Sequence, residues 1–231
     1  MAAACLLWVT APANAQSYTE VIDAGQTLAT AASTGIAGVP LTSIVGTIST
    51  SIDADLFAIT ITSTTSFSAV ASSNAGIDTS LFLFNSAGVP IMANDDSSNS
   101  SLQAALPAGN SLLMTLTAGT YYIGISLSGN EPINLNSQLL FTLDQPTTKV
   151  RGMAANLNPQ TESNFDGATY YPETGDYTIT LSATQGAINP NLIPEPSSFV
   201  MLVLGAGVAV CLSRLRTKRQ APVVAASGAS I

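Results

Sequence analysis

The stretch Ser80-Leu-Phe-Leu-Phe-Asn85 decides the fold class, because its four central residues are apolar on both faces of an extended chain. Successive side chains of a strand point to opposite faces, so such a run is typical of a strand that is covered on both sides. Asn85-Ser-Ala-Gly88 then predicts a turn, and Val89 to Ala93 predicts the returning strand. The stretch therefore indicates a β-hairpin within a central sheet.

Strand-like alternation recurs on both sides of this hairpin. Asp55-Leu-Phe-Ala-Ile-Thr-Ile-Thr62 places Phe57, Ile59 and Ile61 on one face. Short strands separated by Gly, Asn and Asp turns favour an all-β fold, an antiparallel β-sandwich. The other predicted strands are Thr65–Ser72, Ser111–Thr117, Thr120–Ser126, Gln138–Leu143 and Asp176–Ser182.

Three segments lack this pattern, which sets the expected domain boundaries. Residues 16–45 are predicted to be an approach segment, the sandwich to span 46–184, and 185–193 to be a linker. Residues 145–175 form a predicted long loop, and loops of this length in compact domains are either functional or mobile. A structureless insertion is the favoured interpretation of this loop.

Composition excludes several function classes. The chain of 231 residues has a net charge of −8 and no histidine, and its two cysteines, Cys5 and Cys211, lie near its ends. A Ser-His-Asp triad is therefore excluded, as is a Cys/His zinc site in the body. Only Lys149 and Arg151 are basic before the C-terminal tail, so the body repels nucleic acid and we expect no nucleic-acid partner.

The N-terminus resembles a secretory signal segment over residues 1–15. An apolar run from Ala2 to Val9 is followed by Pro12 and then by the small-residue pattern Ala13-Asn-Ala15, which predicts cleavage after Ala15. No basic residue follows Met1, and a buried N-terminal helix or strand is the alternative interpretation.

The C-terminus predicts a single apolar transmembrane helix at 199–213, followed by a basic cluster at 214–219. The run Phe199–Leu212 would span about 21 Å as a helix, which is short against a hydrocarbon core of about 30 Å. Basic flanks favour the cytoplasmic side, so the body would lie outside. A buried core helix with a solvated basic end is the alternative.

Pro194-Glu195-Pro196, the following apolar helix and the basic cluster together resemble the PEP-CTERM sorting signal of Gram-negative bacteria. This resemblance assigns residues 194–220 to the signal and leaves 221–231 as a tail. It implies that an exosortase, an integral-membrane cysteine transpeptidase, recognises the motif and removes the helix. The implied location is an inner-membrane intermediate, then the cell surface or extracellular matrix.

A second resemblance covers the body, roughly from Val21 to Leu181. Asp53-Ala-Asp-Leu-Phe57, Asp78-Thr-Ser-Leu-Phe-Leu-Phe84, Asn94-Asp-Asp96 and Ala118-Gly-Thr-Tyr-Tyr-Ile-Gly124 follow one another in the order found in the bacterial pre-peptidase C-terminal (PPC) domain. The resemblance implies a jelly-roll-like sandwich. It also implies an accessory module that binds or spaces and carries no catalytic set.

The best candidate site in the body is acidic. Asp78 precedes one strand of the hairpin, and Asp95 and Asp96 follow the other, so these carboxylates are expected to converge. Ca²⁺ prefers such oxygen ligands, although the EF-hand spacing is absent. Asp53 and Asp55 form a second pair on one strand face. The favoured alternative for these residues is turn capping by Asp and Asn side chains.

The sequence as a whole predicts an exported surface or matrix protein with a structural or adhesive role in exopolysaccharide, floc or biofilm. It predicts no enzyme and no cofactor, although the acidic residues leave calcium binding open. The alternative is a carbohydrate- or protein-binding module with a defined ligand. A hydrolase that uses paired carboxylates such as Asp78 and Asp95 is a third, less favoured hypothesis.

Overall fold

The computed structural model describes residues 14–143, 149–155, 157, 160–170 and 172–192, and all of them belong to one compact unit that ends at Leu192. Ala13, the rest of the predicted signal before it, Pro194-Glu195-Pro196, the predicted helix at 199–213 and the tail lie outside the described residues. Among the described residues, no helix has the length and apolar character needed to cross a membrane.

The described chain is all-β, which confirms the predicted fold class. Its regular elements are strands and two short 3-10 helices, at Ser111–Leu113 and Pro190–Leu192. The strands are β1 (Gln16–Thr19), β2 (Ala32–Ser33), β3 (Leu41–Ile48), β4 (Ala54–Ile61), β5 (Ser68–Ser72), β6 (Thr79–Asn85), β7 (Pro90–Asn94), β8 (Ala105–Leu106), β9 (Gly119–Leu127), β10 (Pro132–Ile133), β11 (Asn164–Phe165), β12 (Gly175–Ser182) and β13 (Thr184–Gly186).

Two sheets form the sandwich. Sheet A has the order β1-β3-β12-β5-β8, and sheet B has the order β13-β4-β9-β6-β7, with β2 added along β4. The long pairings are antiparallel as predicted, whereas the short strands β1 and β2 pair in parallel with β3 and β4. A separate two-stranded ribbon joins β10 to β11.

The predicted hairpin is present as β6 and β7. Asn85 closes its turn: the Asn85 Oδ1 accepts hydrogen bonds from the backbone of Ala87 at 2.9 Å and of Val89 at 3.0 Å. Gly88 has a φ of 79°, which a residue with a side chain rarely adopts. The turn fixes the pairing of Phe84 with Pro90, and an irregularity between Leu83 and Phe84 then shifts the register, so that Leu81 pairs with Asn94 at the open end of the hairpin.

The main core lies between the two sheets. Sheet A contributes inward side chains such as Ile44 and Ile179, and sheet B contributes Phe57, Leu81 and Ile123, all of them fully buried. The predicted single face for Phe57, Ile59 and Ile61 is confirmed, because all three side chains join this core.

A second core covers the outer face of sheet B and explains why β6 is apolar on both faces. Phe82 packs against Phe141 and Phe165, with ring centroids 5.8 and 5.5 Å away, and Phe84 also contacts Phe141. The predicted long loop is therefore more than a structureless insertion, since its Phe165 is buried on the sheet.

The structure corrects four predictions of element position. The segment 16–45 is not a patternless approach, because it supplies β1, β2 and most of β3. The end of the fold extends past residue 184, since β13 pairs with β4 and Asn189 is buried.

Ser111–Thr117 begins as a 3-10 helix capped by Asn110 instead of a strand. Gln138–Leu143 forms an isolated bridge and turns Leu140 and Phe141 onto sheet B.

Candidate functional site: the acidic end of the sandwich

The acidic side chains gather at one end of the sandwich, which we call the acidic end. It is the end where β4, β6 and β12 begin and where β3, β7 and β9 finish. Of the acidic residues that the structure describes, all except Glu162 lie there. The described loops at the opposite end, 62–67, 85–89 and 107–118, contain no charged residue. Backbone topology therefore concentrates negative charge that is spread along the sequence.

Asp78, Asp95 and Asp96 form one group at this end, and their predicted convergence is confirmed. Each side chain offers a carboxylate oxygen, and these oxygens all lie within 4.8 Å of one another. The hairpin produces this proximity because Asp78 enters β6 where Asp95 and Asp96 leave β7. We call these three residues the hairpin acid group.

The side chains of this group are buried. Asp78 and Asp96 are each 6% exposed, and a buried Oδ1 atom of each has no hydrogen-bond partner. Asp95 is fully buried, and its Oδ1 accepts a hydrogen bond of 2.6 Å from the Ser80 hydroxyl. Buried polar atoms are almost always paired, and unpaired carboxylate oxygens are costly. The two unpaired oxygens therefore need an explanation that the protein atoms do not provide.

Two members of this group, Asp78 and Asp96, have raised pKa values. Burial raises the pKa of Asp78 to about 7, and the neighbouring charges of Asp95, Asp96 and Glu173 contribute to this rise. Burial also raises the pKa of Asp96, with a further contribution from Asp95. Desolvation and like charges both disfavour the ionised carboxylate. The group therefore attracts either protons or a metal cation.

A second acidic group joins Glu20, Asp23 and Asp55, whose carboxylate oxygens also lie within 4.8 Å of one another. The protein satisfies only part of this group, because a buried Oδ1 of Asp55 has no hydrogen-bond partner, as in Asp78 and Asp96. The Glu20 carboxylate accepts backbone hydrogen bonds from Ala24 at 2.6 Å and from Thr47 at 3.0 Å. Asp23 is exposed to solvent, which hydrates its charge.

Asp55 occupies the interior of this second group. It is fully buried, and its Oδ2 accepts a 2.7 Å hydrogen bond from the Tyr177 hydroxyl. Burial raises the pKa of Asp55 to about 9, although the Tyr177 hydrogen bond opposes the rise. Gly46 makes room for this pair, since a Cβ there would collide with the Tyr177 hydroxyl and with Glu20. Asp55 is therefore a neutral carboxylic acid near neutral pH.

Turn capping, the favoured alternative, explains some of the predicted residues. Asp53 accepts hydrogen bonds from the Ser49 backbone at 2.7 Å and hydroxyl at 2.9 Å. Asn94 accepts one from the backbone of Ala105 at 2.9 Å. Neither Asp78 nor Asp96 makes such a side-chain bond. The capping interpretation therefore holds for Asp53, whereas Asn94 links β7 to β8, and the hairpin acid group stays unexplained.

Several members of the acidic end were not predicted as site residues, among them Glu20 and Glu173. Glu20 follows β1, which lay in the segment that was expected to have no strands. Glu173 lies in the long loop, and its Oε2 accepts a hydrogen bond of 3.3 Å from the Asp78 backbone. The alternation of Ile44, Gly46 and Ile48 was the available signal that the sheet begins early.

Neither protein-family models nor curated proteins match this chain. The fold and the site therefore define only a class, an all-β sandwich with buried carboxylates gathered at one end.

Proposed function

We propose that this chain is an exported surface or extracellular-matrix protein of a Gram-negative bacterium, with a structural or adhesive role. The observation that carries the proposal is Pro194-Glu195-Pro196 with the apolar run and basic cluster after it, which resemble an exosortase signal. The sandwich, which we take to be a PPC-like jelly roll, ends just before the motif, at Leu192. Its β1 starts at Gln16, the residue after the predicted signal cleavage. Removal of both ends would thus leave the strands intact.

The outer face of sheet A supports a role in a hydrated matrix. Its side chains are mainly hydroxyls, and they are exposed or half-buried because none of the described segments covers them as loops cover sheet B. Hydroxyl groups can donate and accept hydrogen bonds to polysaccharide or water. This hydroxyl face consists of Ser17, Thr19, Ser43, Thr47, Ser68, Ser72, Thr178, Thr180 and Ser182, with Val45, Val70 and Asp176 among them.

A hydrolase is less well supported than a structural role. The oxygens of the hairpin acid group are close enough for a retaining glycosidase, which places its carboxyl groups about 5 Å apart. However, each of these side chains is 6% exposed or less, so a sugar ring cannot reach two of them at once. An ion-sized ligand fits this burial better than a glycan does.

The sorting proposal can be tested in cells with and without their exosortase. We expect the wild-type protein to reach the cell surface in a form that lacks the tail only where exosortase is present. Replacing Pro194, Glu195 and Pro196 with alanine should leave the tail attached and the protein in the inner membrane. The same replacement at Ser197 and Ser198 is the matched control. An intact tail in wild-type cells that contain exosortase would refute sorting by this signal.

A binding module with a defined ligand is the second candidate, and the hydroxyl face favours it. Replacing Thr178 and Thr180 with lysine changes this face without touching the core, because both side chains point away from it. Saturable binding to a purified exopolysaccharide that these changes abolish would support a specific module. Binding that never saturates would favour the passive structural role.

A further inference from the structure

The hairpin acid group offers the donor set of a cation site. Oxygens that bind one Ca²⁺ at about 2.4 Å lie at most about 4.8 Å apart, and the carboxylates of Asp78, Asp95 and Asp96 meet this limit. All three ligands are hard oxygen donors, which suit Ca²⁺ or Mg²⁺ better than a transition metal. Ca²⁺ tolerates irregular geometry, whereas Mg²⁺ demands a near-ideal octahedron.

The unpaired oxygens are an independent sign of a ligand. Asp78 and Asp96 are more than nine-tenths buried, and the Oδ1 of each lacks any partner. Capping does not use these two side chains, whereas Asp95 accepts from the Ser80 hydroxyl and makes a further interaction. A cation among the three carboxylates would satisfy both Oδ1 atoms and remove the repulsion between them.

Basic side chains are the competing source of positive charge. Lys149 and Arg151 belong to a segment that lies beside β7, where Arg151 forms an antiparallel bridge with Ala93. Both residues make interactions of their own. If their charges alone balanced the hairpin acid group, added Ca²⁺ would have no effect on the protein.

Glu173 connects this group to the other sheet. It lies just before β12 of sheet A, and its carboxylate accepts the Asp78 backbone N–H at the start of β6 in sheet B. A cation held by the hairpin acid group would also attract this half-buried carboxylate. It would thus link the hairpin to the strand that is central in sheet A.

We propose that Asp78, Asp95 and Asp96 bind one Ca²⁺ ion, which with Glu173 clamps the β6–β7 hairpin of sheet B to the start of β12 in sheet A. The site does not depend on where the protein is sorted. Failure of one proposal therefore leaves the other standing.

Thermal unfolding of the full chain in a nonionic detergent tests this proposal, with CaCl2 added to EDTA-treated protein. We expect the melting temperature to rise, with half of the effect at about 10⁻⁴–10⁻³ M Ca²⁺, as in other extracellular modules. Calorimetry should give one ion per chain. No shift at concentrations about tenfold above that range would overturn the proposal, as would an equal shift with MgCl2.

Substitutions of single carboxylates distinguish a cation site from carboxylates that only stabilise the fold. Asp78→Asn and Asp96→Asn should each weaken Ca²⁺ binding about tenfold or more, yet raise the melting temperature in EDTA because they relieve repulsion. Glu173→Gln should weaken binding less. Asp23→Asn is the charge-matched control in the second acidic group and should bind Ca²⁺ normally. Loss of binding in Asp23→Asn alone would overturn the assignment. If Asp78→Asn does not fold, Asp96→Asn and the wild-type stoichiometry decide.

Discussion

Replacing Asp55 with asparagine should make the stability of the protein less sensitive to pH. The pKa of Asp55 rises from 3.8 to about 9 on folding, so between these values the folded state holds a proton that the unfolded state has lost. Stability must then fall as pH increases through this window, by about 1.4 kcal/mol per pH unit. At about pH 7.5 the loss of folding stability that Asp55 causes reaches about 5 kcal/mol. Asparagine binds no proton on folding and therefore does not cause this loss.

Urea unfolding in EDTA, followed by circular dichroism at several pH values, measures this difference. Near pH 4 the variant and the wild type should be about equally stable, because asparagine resembles the protonated acid and can still accept the Tyr177 hydrogen bond. The variant's advantage should then increase steadily up to about pH 9. Asp176→Asn, an exposed change at the same end of the sandwich, controls for net charge.

Parallel stability curves for the wild type and Asp55→Asn would refute this reasoning. They would show that Asp55 takes up no proton on folding and is therefore ionised in the folded protein. A variant that is less stable than wild type at every pH would contradict it as well, because the asparagine would then be a poorer partner for Tyr177 than the acid is.

Three further substitutions test the packing that positions the acidic end. Phe141→Ala should lower the free energy of unfolding in urea by about 3–5 kcal/mol, since it leaves a cavity in the second core, on the outer face of sheet B. Val70→Ala, an exposed control, should change this free energy by less than about 0.5 kcal/mol. Tyr177→Phe should cost about 1–3 kcal/mol, because Asp55 loses its hydrogen-bond donor. Gly46→Ala should lower the melting temperature, since its Cβ collides with Tyr177 and Glu20; an unchanged melting temperature would argue against the close packing there.

The fold class could be predicted from the sequence because the main strands carry a local signal. The alternation in Asp55–Thr62 and the turn residues Asn85 and Gly88 identify strands and hairpin without knowledge of distant contacts. The first sheet strands were missed because β1 and β2 are short, and β2 has no alternation long enough to recognise. Ser111–Thr117 was misassigned because apolar residues in short runs fit a strand and a 3-10 turn equally well.

The acidic end could be predicted from the sequence only for carboxylates that one hairpin brings together. The hairpin brings Asp78 to Asp95 and Asp96, and hairpin geometry follows from sequence. Glu20 and Glu173 reach the same end through pairings between distant strands, and burial of Asp55 beside Tyr177 depends on residues 122 positions apart. Sequence alone therefore predicted the meeting of Asp78, Asp95 and Asp96, but not the second acidic group or the oxygens that lack partners.

The most direct test of the proposed function is to sequence both ends of the mature protein, collected from the cell surface, by mass spectrometry. The sorting proposal predicts a chain that begins at Gln16 and ends at or beside Pro194-Glu195-Pro196, without residues 199–231. Surface protein that still carries peptides from 199–231 would contradict it, since the apolar run would then be a permanent part of the protein.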